Sequence, residues 1–187
     1  QGDVAVVRDL LSRGADPRAS SSISEAIEEG RVDVLDVIRE WLRGRSDLSL
    51  FEAMLVDDAA LVTRLLSAVA GGVQAAREMR DDLRHSLSHY ASVTSGSMVE
   101  LLRARGVLDV SSRAESGRTP LHLASRCGVL SSVSSLLSSG ADVRAVDRES
   151  RSSLMLACAG GHVAVVRELL SSGADVHAVD RKSRSSL

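Results

Sequence analysis

The histidines, cysteines and paired acids are the side chains with which this chain could do chemistry. His85 and His89 are spaced i, i+4. On one helix that spacing points both rings the same way, as in metal-binding pairs. No cysteine lies near them, and only Asp81 or Asp82 stands close enough in sequence to complete a ligand set. The plainer expectation is a partly exposed helix start without metal. Asp57–Asp58 and Glu28–Glu29 are paired acids, which do acid/base work when burial drives their pKa values apart. Both pairs fall at turns between short helices, where solvent reaches them. His122 is followed five residues on by Cys127, which faces another side of a short helix, so no nucleophile–base pair is formed. Neither G-x-x-x-x-G-K-[ST] nor G-x-G-x-x-G occurs. The expectation is no catalytic residue, no metal and no cofactor, and hence no enzyme.

The elements carrying these residues are short amphipathic helices. Thr119 caps a helix whose first residue is Pro120, where a missing N–H costs nothing. Leu121, Ala124 and Ser125 follow at helical spacing, and Gly128 ends the helix. A second helix carries Val133, Leu136 and Leu137 on one face, and Gly140 ends it as Gly does where the chain turns left-handed. "ADVRAVDRESR" then reads as an extended excursion with a turn near Arg148–Ser150. Two short helices and a hairpin cannot bury their apolar faces alone, but stacked copies can.

The copies are visible. "GADVRAVDRESRSSL" (140–154) and "GADVHAVDRKSRSSL" (173–187) agree at thirteen of fifteen positions with an offset of 33. Residues 114–146 and 147–179 are complete 33-residue units, and 180–187 restarts a third. "GRTPLHLASRCG", "LLSSGADVRAVD" and "GGHVAVVRELLSSGADVHAVD" resemble the ankyrin repeat, with its T-P-L-H-x-A opening, V-V-x-x-L-L second helix and G-A-D-V exit. The resemblance implies an all-α repeat solenoid of stacked helix-turn-helix units with short β-hairpin fingers. It also implies a structural role for His122, whose ring would bond neighbouring backbone and tie one repeat to the next, and a usual motif place for His162.

The N-terminal half keeps the apolar spacing with decay. Residues 2–19 match a second helix and exit. Residues 20–46 form a repeat, 47–73 a degenerate one, and 74–113 another with a charged insertion over 71–86. The residues closing the second helices are Gly14, Leu42, Val69, Gly106, Gly140 and Gly173. The first steps are about five residues short, so the N-terminal hairpins are expected to be clipped or absent. Ser132 takes a place the family gives to an apolar residue, so that unit should pack less well. The chain starts and stops inside a repeat and reads as a fragment. Apolar surface near Val6, Leu10, Val166 and Leu170 is expected to be partly bare, with end fraying and end-to-end association of an otherwise monomeric array.

Composition narrows function. The net charge is −2 and the chain has one Trp, one Tyr and one Phe, which disfavours nucleic-acid binding. No apolar run approaches 18 residues, so no membrane-spanning segment is expected. Cys127 and Cys158 suit a reducing, intracellular and cytoplasmic setting better than a disulfide framework. Residues 1–112 carry 13 basic and 18 acidic side chains, and residues 113–187 carry 10 and 7. The resemblance implies a protein–protein interaction module with a concave binding face made by fingers and first helices. On this chain that face comprises Glu115, Ser116, Arg118 and Arg126, then Arg148, Glu149, Arg151 and Ala159, then Arg181, Lys182 and Arg184. Its arginines suit an acidic or phosphorylated protein segment. The alternative is a recruiting or regulatory domain of a larger enzyme or channel. Ser183 and Ser185, beside Arg in an exposed turn, are candidate substrates of a basophilic kinase.

Overall fold

The computed structural model describes residues 2–19, 22–183 and 185. Among them the chain forms helices α1 (Gly2–Ser12), α2 (Ser22–Glu29), α3 (Val32–Leu42), α4 (Leu50–Leu55), α5 (Ala59–Ala68) and α6 (Gly72–Glu78). These are followed by α7 (Leu87–Ser92), α8 (Gly96–Ala104), α9 (Pro120–Cys127), α10 (Leu130–Ser138), α11 (Ser153–Ala159) and α12 (Val163–Ser171). A 3-10 turn spans Pro17–Ala19. The only β features among the described residues are the isolated bridges Val146–Ser152 and Val179–Ser185 at the finger bases.

First and second helices alternate and stack in rows. Helices α4, α7, α9 and α11 pack in succession, and α8, α10 and α12 line the other side. Their facing residues form one apolar core that includes Met54, Leu87, Met98, Leu121, Leu136, Leu154 and Leu169. Second helices close alike. Ala15, Val107, Ala141 and Ala174 each donate a backbone N–H to the carbonyl five residues earlier, which satisfies carbonyls a helix end leaves open.

The fingers repeat with equal regularity. Asp81 N donates to His85 O, Ala114 N to Arg118 O and Asp147 N to Arg151 O, steps of 33 residues. One residue per finger sits in the left-handed region: Arg84, Gly117, Ser150 and Ser183. Neighbouring fingers are joined by Glu115 N to Leu83 O, Arg148 N to Ser116 O and Arg181 N to Glu149 O. The charged stretch 71–86 is therefore no simple insertion. Its first part is α6, and its second part opens a finger in register with those at 114, 147 and 180. Between α3 and α4 the finger is absent. Ser49 directly caps α4 through a reciprocal box with Glu52, as the short step requires.

The N-terminal pair α2–α3 lies across the finger-side face of the array. α2 packs on α9, Arg39 of α3 donates to the carbonyls of Leu55 and Val93, and Ser24 donates to Asp81. Val6, Leu10 and Leu170 are half-exposed, 58, 50 and 40%, while Val166 is partly buried. Ser132 is fully buried and its hydroxyl has no partner. Among the described residues no single helix is long and apolar enough to cross a membrane.

Candidate functional site

Three of the four fingers are turns built by their own acid, while the finger at 114 opens on Ala114. Asp147 Oδ1 accepts from the N–H groups of Glu149 and Arg151, both at 2.9 Å. Asp81 Oδ1 does the same for Leu83 and His85 at 3.0 and 2.7 Å, and Asp180 Oδ1 accepts from Lys182 N at 2.8 Å. Asp short enough to reach its own backbone two residues on favours such turns. Four residues after the opening residues Asp81, Ala114 and Asp147 stands a basic row, His85, Arg118 and Arg151. Its continuation Arg184 lies outside the described residues.

Histidines lock the first helices beneath this row. His122 Nδ1 accepts from Thr119 N at 3.2 Å, so its Nε2 carries the proton that goes to Arg151 O, also at 3.2 Å. His89 repeats the pattern with Ser86 N and Arg118 O, both at 3.0 Å. The structural role implied for His122 is thus present twice. Burial brings His122 down to about 4, and burial with the neighbouring His85 charge brings His89 down to about 3. The idea of a partly exposed His85–His89 pair is corrected. Both rings are fully buried, His85 lies before the helix, and both His89 nitrogens are committed. Among the described residues no group of three or more His, Cys, Asp or Glu is placed to hold a metal.

The acid pairs divide. Asp58 caps α5 through Leu61 N, and Asp57 accepts from Ser95, both exposed as expected at a turn. Glu29 is exposed as expected, but Glu28 is largely buried, which corrects the reading for that residue. It accepts from Ser116 Oγ at 2.6 Å, lies 2.5 Å from Arg118 Nη1, and sits 3.4 Å from His85 Nε2. Burial pushes the Glu28 carboxyl up, but His85, Ser116 and Arg118 together outweigh it and bring it to about 2. His85 is pushed down by burial and raised above its ordinary value by Asp81 and Glu28. Asp81 Oδ2 also accepts from Ser24 Oγ and Tyr90 OH. This network had no local signature in the sequence. The spacings Asp81–Asp147, two repeat lengths, and Asp147–Asp180 and His89–His122, one repeat length each, were the available signal for the first finger.

The residues expected to face a partner are not all alike. Arg118 is 6% exposed, held by Glu28 and by Asp147 at 3.5 Å, and Ser116 is tied to Glu28. The expectation that they stand free at a finger tip is corrected, because α2 covers them. Glu115, Arg148, Glu149, Arg181 and Lys182 are exposed. Arg151 is half-buried and paired with Asp147 and Glu149. Beyond α2, Arg126, Arg151 and Ala159 line one open recess of about 470 Å³ with Met155, Leu156 and Asp180. The structure therefore brings three of the expected residues together at the α11 end.

A family model for ankyrin repeats, three copies long, matches residues 50–147 and again 87–180, which together make up well over half of the chain. No curated protein matches the chain significantly. With stacked helix pairs, ladder-joined fingers and that match, the chain belongs to the ankyrin repeat family.

Proposed function

We propose that this chain is a non-catalytic binding array whose C-terminal repeats hold an acidic or phosphorylated segment of another protein. Ankyrin repeats are generally protein–protein interaction modules. One observation carries the finer reading. The finger-side face beyond α2 has an open recess walled by Arg126 and Arg151, with Arg148, Arg181 and Lys182 at adjoining finger tips. None of Arg126, Arg148, Arg181 and Lys182 has an acid within ion-pairing distance among the described residues. Planar guanidinium groups without internal partners suit carboxylate or phosphate. The free thiols Cys127 and Cys158 support an intracellular setting.

The test is a titration of the chain with glutamate-rich and phosphoserine-bearing peptides, beside a variant carrying Arg148→Glu, Arg181→Glu and Lys182→Glu. These exposed positions leave the core intact, unlike Arg118. The reading expects binding by the native chain and a loss of at least about tenfold in the variant. Equal binding by both, or by neither, ends it.

A further inference from the structure

We infer that the recess between Arg126, Arg151 and Ala159 receives one glutamate presented at the end of a short helix, as α2 presents Glu28 to Arg118 inside this chain. The inference rests on the reading of this face as a protein-binding surface, and it names the ligand.

Repeat symmetry is the first support. Arg151 stands 33 residues after Arg118, and both reach Asp147 Oδ2, at 2.9 and 3.5 Å. At Arg118 a foreign carboxylate is already seated. Glu28, in the last turn of α2, bridges Arg118 and His85 across two fingers. Under α2 lies α9 with the buried Leu123. One repeat on, Leu156 takes the place of Leu123, and the same kind of floor opens into the recess.

Arg126 supplies the second support. Its Nε is buried and has no hydrogen-bond partner, and it makes no ion pair among the described residues. Its backbone is fixed, because His162 Nε2 donates to Arg126 O at 2.9 Å. Its stem is fixed by Gly30, directly after α2, where an added Cβ would fall 2.7 Å from Arg126 Cγ. Of the acids near it, exposed Glu29 forms no ion pair with it among the described residues, and the others are engaged. Asp147 and Glu149 pair with Arg151, Glu28 with Arg118, and Asp180 Oδ1 with Lys182 N. Arg126 lines the recess while its buried Nε, packed beside Gly30, lacks an acceptor, and a carboxylate in the recess suits its guanidinium in matching planar geometry. Met155, Leu156 and Ala159 provide an apolar floor for the residue preceding the glutamate, as Ile27 precedes Glu28.

The probe is a fluorescein-labelled peptide with the sequence of residues 22–30, SISEAIEEG, titrated into the full chain by anisotropy. A second peptide carries Glu28→Gln. The chain variants are Arg126→Gln and Ala159→Glu. Ala159 is exposed, so Ala159→Glu places an internal carboxylate in the recess with the thermal midpoint unchanged. The inference expects binding by the native chain, at least about tenfold weaker binding of the Gln peptide, and loss of binding in both variants. Equal binding of the two peptides, equal binding by Arg126→Gln, or no binding of the probe would each overturn it. The broader reading is judged separately by the Arg148, Arg181 and Lys182 variant, which leaves Arg126 untouched.

Discussion

Glu28 reaches Arg118 from ninety residues away in sequence, with Oε2 2.5 Å from Nη1. Arg118 donates to the Glu28 backbone carbonyl as well. One residue thus fastens the N-terminal helix pair to the finger at 114–118 and removes that finger's arginine from solvent. What α2 leaves uncovered is the recess beside the next arginine along the row, Arg151.

The Glu28–Arg118 pair is mostly buried, with side chains 13 and 8% exposed. Glu28→Ala or Arg118→Ala leaves a buried charge without its partner, at a cost of about 2–4 kcal/mol. The double variant should cost less than the sum, with a coupling of about 1 kcal/mol or more. Urea unfolding of the four proteins measures this. Simple additivity would mean that the two residues do not act together.

Histidines give stability two opposed pH responses. His89 and His122 are held neutral, at about 3 and 4, while in the unfolded chain they titrate near 6.5. Between about pH 4 and 6.5 the unfolded chain binds more protons, so stability rises with pH. His85 has the opposite sign. Its raised pKa gives stability that is full below about 6.5 and lost as pH climbs through the folded value. His122→Gln should flatten the acid-side rise, by about 1–3 kcal/mol, and His85→Gln should abolish the decline above 6.5. Glu28 and Asp81, both brought to about 2, add stability that disappears as pH falls below about 4. Urea midpoints from pH 3 to 9 check all three, and unchanged slopes in the variants would refute the assignment.

Finger turns carry a testable strain. Ser150 has φ 60° where Gly117, one repeat earlier, has φ 80°. Ser150→Gly should stabilise by roughly 0.5–1 kcal/mol, and Gly117→Ala should destabilise by at least about 1 kcal/mol. The second change also crowds Arg148, whose Cγ lies 3.0 Å from where the Cβ would stand. Thermal unfolding separates the two directions, and a shift of the same sign for both would contradict the shared turn geometry.

Ser132 is buried in α10 with an unpartnered hydroxyl. Ser132→Ala removes that group without adding volume and should raise stability by about 1 kcal/mol. A loss of stability, read by calorimetry, would show that the hydroxyl is satisfied in solution.

The C-terminal repeats were readable because their motifs keep fixed turn residues at fixed offsets. Thr119–Pro120, Gly128 and Gly140 each dictate local backbone, and the observed helices start and stop with them. The finger at Asp81–His85 escaped because "DDLRH" has the charge of a loop, and its turn chemistry is visible only against Asp147 two repeats on, the repeat between them having Ala114 at that place. Glu28 escaped for a different reason. An acid pair at a helix end looks the same whether water or a distant arginine receives it, and only tertiary packing of α2 on α9 decides. The same packing settled which expected arginines stay open and which are consumed inside the fold.

The most direct test of the account is hydrogen exchange of the whole chain with and without a saturating glutamate-rich peptide. The account predicts added protection at the fingers 147–151 and 180–183 and along α11, with little change in α5, α8, α10 and α12. Protection confined to those second helices, or no protection anywhere, would contradict a finger-side binding face.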